Sequence, residues 1–147
     1  MRAAARGLGI EIEVRRTSGT THTAQDAARE IGCDVAEIVK SVVFLVDGLP
    51  VVVLCSGADR VDEAKLRRAL GAAAARRATA DEAKAATGQP IGGVAPFGHR
   101  TACRVVADTA LRRHVTVWAA AGLPDAVFPV ASDVLIHASG ALEADVT

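Results

Sequence analysis

The sequence predicts one compact α/β domain, with a mixed, largely antiparallel, barrel-like sheet flanked by short helices. Three observations carry this. Two apolar runs, Val42 to Val46 and Pro50 to Cys55, lie either side of Asp47-Gly48, and unalternating β-branched runs across a D-G turn mark a hairpin covered on both faces. Short helical patterns with recognisable caps alternate with further apolar runs. The 147 residues, half of them apolar, suffice for one core, and no repeat or low-complexity linker divides them, so residues 1–147 read as a single domain.

In chain order, Ile10, Ile12 and Val14 alternate with Glu11, Glu13 and Arg15 and predict a half-buried strand. After a polar break, Thr23 is placed to cap a helix over Ala24 to Ile31 that Gly32 ends. Asp34 with Glu37 predicts a second, short helical start. The hairpin follows and is expected at the centre of the sheet. Asp62 caps a helix running to Leu70 and closed by Gly71, the AAARRA segment reads as an edge strand, and Thr79 with Glu82 forms a capping box for a helix stopping at Gly88. Cys103 to Ala107 predicts a strand, and Asp108 caps a helical turn ending near His114. Val115 to Ala119 and Val127 to Val130 predict two strands joined by Ala121-Gly122-Leu123-Pro124-Asp125. Ser132 starts a last short helix, and the tail from Ala141 is left without assignment.

Composition narrows the function classes. Lys plus Arg and Asp plus Glu are each 17, so no strong whole-molecule attraction to polyanions is expected. The distribution is less even: Arg60 to Arg113 holds eleven cations against five acids, which permits a modest phosphate-facing surface or simply solvated helix faces. Aromatic residues are 3%, too few for a protein that grips single strands by base stacking. Three widely spaced cysteines without a C-x-x-C pair point to a reducing compartment, and no secretory peptide or membrane-spanning run is read, so the expected setting is cytoplasmic.

Two features invite chemistry. The stretch Thr87 to Arg100, TGQPIGGVAPFGHR, has four glycines and two prolines and no Ser, Cys or acidic residue, so any chemistry there would use main-chain N–H groups as preorganised donors; the alternative is a structural turn. Lys40 directly precedes the most apolar strand and would act as a fixed charge for a phosphate or polarised oxygen, or else snorkel to solvent. His22, His99, His114 and His137 show no metal-ligand spacing. His99 is a candidate proton shuttle or ribose contact beside the loop, or a loop histidine satisfied by backbone. His22 is expected to be exposed before its helix cap. Asp108 reads as a helix cap before a catalytic base, and Cys55 and Cys103 read as core residues.

The helix THTAQDAAREIG, the segment EIVKSVVFLVDG with its lysine, the stretch SGADRVDEAKLRRALG, and the G-x-x-x-P motif at Gly92, Gly93, Val94, Ala95 and Pro96 occur in one order, followed by Asp108 and a small-residue turn around Gly122. Over about His22 to Val146 this resembles the YbaK-type aminoacyl-tRNA deacylases, relatives of the editing domain of bacterial prolyl-tRNA synthetases. The resemblance implies a trans-editing hydrolase that removes a wrong amino acid from tRNA, most readily Cys or Ala from tRNA-Pro. Lys40 would hold the terminal adenosine, and the Gly92 to Pro96 loop would offer N–H groups to the ester carbonyl. Ser41, Gly98, His99, Asp108, Ala121 and Gly122 would complete substrate binding, with no cofactor and no metal. Partners implied are aminoacyl-tRNA and either prolyl-tRNA synthetase or an elongation factor. Ser41 departs from the Thr or Asn found in members of cysteinyl or alanyl specificity, which leaves the amino acid open. A rival reading is a non-catalytic module of the same fold that docks on tRNA or a synthetase.

Overall fold

The hairpin organises the molecule. In the computed structural model, which describes residues 2–18 and 23–147, β2 (Val39–Val46) and β3 (Leu49–Ser56) pair antiparallel in register from Val39↔Ser56 to Val46↔Leu49. Asp47 at φ 49° and Gly48 at φ 81° make the two-residue turn, the backbone that a twisted hairpin needs and that Gly adopts without strain. The remaining elements are α1 (Arg2–Gly7), β1 (Arg15–Arg16), α2 (Ala24–Ile31), α3 (Glu63–Leu70), β4 (Ala75–Arg77), α4 (Ala80–Thr87), β5 (Arg104–Asp108), β6 (Thr116–Ala120), β7 (Ala126–Ala131), α5 (Ser132–Ala138) and β8 (Leu142–Ala144). Two 3₁₀ turns, Val35–Glu37 and Thr109–Arg113, complete the chain.

Two sheets result. One runs β4-β2-β3-β5-β8 with β3 at its centre; the other is β1-β7-β6. The pairs β3–β5 and β5–β8 are parallel, and the others are antiparallel. Among the described residues the sheets meet at one isolated parallel bridge, Ile38↔Trp118, and the expected barrel-like sheet does not close. The unalternating runs are explained by two cores. Val43, Val52 and Leu54 face the larger core with Phe97, Phe128 and Leu135, whereas Phe44, Val51 and Val53 face a smaller one under Leu66 of α3.

The helix caps follow the sequence. Thr23 accepts from the Asp26 amide, Asp62 from those of Ala64 and Lys65, and Thr79 with Glu82 closes a reciprocal box. Three expectations are corrected. Ile10, Ile12 and Val14 do turn their side chains to the larger core, but only Arg15 and Arg16 find ladder partners, on β7, so the strand is two residues long. Val115 is 86% exposed and precedes β6 instead of opening it. The unassigned tail forms β8, a parallel edge beside β5. His22 lies outside the described residues. Among those described, no helix is long and apolar enough to cross a membrane.

Candidate active site

A cavity of about 620 Å³ opens where the two sheets meet, lined by β2, β6, β7, α2, the end of β4 and the loop after α4. Its first wall is β2. Lys40, expected before the strand, is its second residue and pairs with Cys55 across the ladder. The lysine is half-buried, and its ammonium donates to the carbonyl of Asp59. Among the described residues it has no carboxylate partner. Ser41, next along, points to the opposite face with Val39 and Val43, and its Oγ is buried without a hydrogen-bond partner. Beside them lies Arg77 of β4, exposed and in no ion pair among the described residues, whereas its neighbour Arg76 is held bidentate by Glu82 at 2.7 and 2.8 Å. The described lining thus carries two cations and no carboxylate, histidine or cysteine.

The second wall is the glycine- and proline-rich loop. Its base is closed by Arg100 N–H donating to the Thr87 carbonyl at 2.9 Å. Inside, Ala95 is clamped on both sides. Its N–H donates to Gln89 Oε1 at 2.8 Å, and its carbonyl accepts from His99 Nε2 at 2.7 Å, which places the imidazole proton on Nε2. Burial pushes the His99 pKa down, partly offset by that bond, so the ring is neutral at neutral pH. Gly93 N–H is consumed by a turn to the Pro90 carbonyl, and Pro96 has no N–H. That leaves Gly92 and Val94: both line the cavity, and among the described residues neither N–H has an acceptor. Val94 is 2% exposed, and an unpaired amide in so buried a residue is rare.

The loop is seated on the β6–β7 connection at a point that admits no side chain. A Cβ on Gly93 would lie 2.6 Å from the Leu123 carbonyl carbon and 2.7 Å from Pro124 N. That connection is itself pinned, because Thr17 N–H donates to the Asp125 carbonyl at 2.7 Å and Arg16 pairs with the Asp125 carboxylate at 2.6 Å. Gly122 lies 3.5 Å from Gln89 Nε2, measured from the position of a Cβ there, and Gly98 abuts Ala4 of α1.

Of the residues singled out from sequence, Lys40, Ser41, Gly92 and Val94 come together in one cavity. Gly93, Ala95, Gly98, His99, Ala121 and Gly122 stand behind it, as loop frame and support. Asp108 is elsewhere. It is 1% exposed, borders a separate depression with Arg60 and Arg113, and accepts from the amides of Val146 and Ala110 and the hydroxyl of Thr147. It is the cap read from sequence, and it also ties the tail down. Cys55 is fully buried and its thiol is pushed up to about 11 by burial, so it is a core residue and not a thiolate. Sequence reasoning missed Gln89, Arg77 and Trp118. Trp118 lines the cavity with the Arg15 guanidinium 5.8 Å from its ring centre. Gln89 lay inside the glycine-rich stretch, but nothing local distinguishes it from a loop polar residue.

The chain is similar to proteins of known sequence and structure. A crystal structure of a protein proposed as a trans-editing enzyme for prolyl-tRNA synthetase superposes with a TM-score of 0.94 at 36% identity, covering 99% of this chain and 93% of the other. The Bacillus subtilis (strain 168) protein YwhH is 34% identical over 113 residues, 76% of this chain and 71% of YwhH. The proline–tRNA ligase of Nitratidesulfovibrio vulgaris Hildenborough is 36% identical over 91 residues, 62% of this chain but only 16% of the ligase. The chain therefore spans about a sixth of the ligases it matches. The profile of the aminoacyl-tRNA editing domain matches residues 18–138, and the chain belongs to that family.

Proposed function

We propose that the chain is a trans-acting deacylase that hydrolyses the ester between a small wrong amino acid and the 3′ end of tRNA, with tRNA-Pro its first substrate to test. One observation carries this reading: a single cavity is lined on one wall by a lysine and on the other by Gly92 and Val94, and among the described residues the lysine has no carboxylate partner and the two N–H groups have no acceptor. Membership of the editing-domain family and the match to a stretch of proline–tRNA ligases support it.

Lys40, with Arg77 adding to the positive field, receives the phosphate of the terminal nucleotide and fixes the ester between the walls. An oxygen nucleophile, water or water positioned by the substrate's own hydroxyl, attacks the carbonyl carbon. The carbonyl electrons move onto oxygen, and the Gly92 and Val94 N–H groups stabilise that oxyanion, a contribution worth about 10²–10³ in rate per donor in comparable sites. Collapse breaks the bond to the ribose oxygen, which leaves with the proton given up by water. The described lining holds no carboxylate, histidine or thiol to act as base or nucleophile, which fits an ester already activated by its ribose leaving group.

The test is hydrolysis of tRNA-Pro charged with Cys, Ala, Ser, Thr and Pro, by wild type and Lys40→Ala. Wild type should clear a small non-prolyl species, and Lys40→Ala should lose about 10²-fold or more in kcat/KM with its Tm unchanged. Retained turnover in Lys40→Ala removes the lysine from the mechanism. Retained tRNA binding with no turnover of any species by wild type makes the chain a binding module.

A further inference from the structure

The three phenylalanines are buried in the cores, Phe44 at 3%, Phe97 at 5% and Phe128 at 0% exposure. The single tryptophan, Trp118 of β6, is only half-buried and lines the cavity instead. Ile38 is extended and leads directly into β2, so Ile38 and Lys40, two residues apart, share a face. Trp118 is the bridge partner of Ile38, which puts its side chain on that same face, and Ala120 follows it along β6. All four residues line the cavity, while the alternate residues Val39, Val117 and Ala119 turn to the larger core. The indole therefore stands on the side of Lys40, offset from it by about 7 Å along the strand. Its Nε1–H has no acceptor among the described residues and, unlike the Ser41 hydroxyl, is not buried, so the ring reaches the cavity with an open edge.

An accessible indole next to a lysine matches a planar, uncharged group joined to an anion. The Arg15 guanidinium lies 5.8 Å from the ring centre. With Lys40 and Arg77 it makes this side of the cavity cationic, which disfavours the α-ammonium of an aminoacyl ester there. A nucleobase meets the requirement, because its π-face stacks on an aromatic ring and it carries no charge to desolvate. The offset between the indole and Lys40 is comparable with the separation of a base from the 5′-phosphate of its own nucleotide. Resting on the deacylase reading above, we propose that Trp118 is a binding residue for the terminal adenine of tRNA, stacking on the base while Lys40 receives the phosphate, with Arg15 orienting the ring. One ring serves one base, so the scarcity of aromatic residues excludes grip on a long single strand but not on its last nucleotide.

The chain has one tryptophan and no tyrosine, so its tryptophan fluorescence reports on this ring alone. The experiment titrates the intact chain with 5′-AMP, with the trinucleotide CCA and with ribose 5-phosphate. AMP and CCA should quench the fluorescence saturably, and ribose 5-phosphate, which lacks the base, should not. In deacylation of the tRNA-Pro species that wild type clears, Trp118→Leu should raise KM by about tenfold with kcat nearly unchanged, and Trp118→Phe, which keeps a ring, should stay within about threefold of wild type. Equal quenching by ribose 5-phosphate and AMP overturns the proposal, and so does the absence of quenching at millimolar AMP and CCA. A folded Trp118→Leu with wild-type KM overturns it as well, whatever its kcat, since the ring would then not bind the base. If no ester is hydrolysed, the deacylase reading falls, and the titrations still decide: quenching that requires the base upholds the role of Trp118, and its absence ends it.

Discussion

The two walls of the cavity are made in different ways. The β2 wall is a strand held by a ladder to β3 over its whole length and by β4 only at Phe44 to Val46, and it offers side chains: Lys40, Ser41 and Val43. The loop wall has no ladder and contributes Gly92 and Val94, in a loop braced at Ala95 by the Gln89 and His99 side chains and at Gly93 by contact with Leu123 and Pro124. A strand fixes where a side chain starts, whereas a braced loop can leave an amide unpaired, which a sheet interior cannot. The contrast predicts that changes behind the loop wall will act on the proposed oxyanion contact, while leaving the proposed phosphate contact at Lys40 intact.

The strongest break is Gly93→Val. A Cβ 2.6 Å from the Leu123 carbonyl carbon forces the loop off the β6–β7 connection, and a displacement of about 1 Å at a catalytic group costs about 10²-fold in rate. We expect kcat to fall by that order, with Tm lower by several degrees and KM for charged tRNA nearly unchanged. A variant with wild-type kcat would show that the loop's seat does not position the amides. Next comes Gln89→Ala, which removes the acceptor from Ala95 N–H without touching the backbone of the loop. About a tenfold loss in kcat is expected, together with faster hydrogen exchange at the Ala95 amide; faster exchange with full activity would separate the brace from the chemistry.

How much of this was legible varies with how local each determinant is. The hairpin could be read because β-branched runs and Asp47-Gly48 act within a dozen residues, and the helices because Thr23 with Gly32, Asp62 with Gly71, and Thr79 with Gly88 mark both ends. The strand β8 could not, since Leu142–Ala144 is a strand only because β5 offers it a parallel edge. The alternation of Ile10, Ile12 and Val14 reported burial correctly, but burial does not supply ladder partners. For the site, Lys40 and the loop were visible as residue types. Which amides are available was not: it depends on Gln89 and His99 reaching across to Ala95 and on Pro90 capturing Gly93. Ser41 was visible as a departure from its relatives, but its unpaired state exists only in three dimensions.

The smallest and most diagnostic effect concerns pH and His99. Burial lowers its folded pKa below the ordinary 6.5, and the neutral ring already donates to Ala95. Above 6.5 the ring is neutral both folded and unfolded, so its contribution to stability is fully present. As pH falls below 6.5 the unfolded chain takes up a proton that the folded ring resists, and the contribution is lost as pH passes through the lowered folded value. Tm and kcat should therefore be flat above about pH 7 and decline together, by a few-fold in kcat, as pH falls through that lowered value. His99→Gln, whose amide can still donate to the Ala95 carbonyl but does not titrate, should keep near wild-type activity at pH 7 and flatten that acid limb. Changes on the β2 wall, such as Ser41→Ala, should leave the limb where it is. An acid limb that persists in His99→Gln would assign it to another group and reduce His99 to loop packing, with Gln89 left as the titration-independent brace.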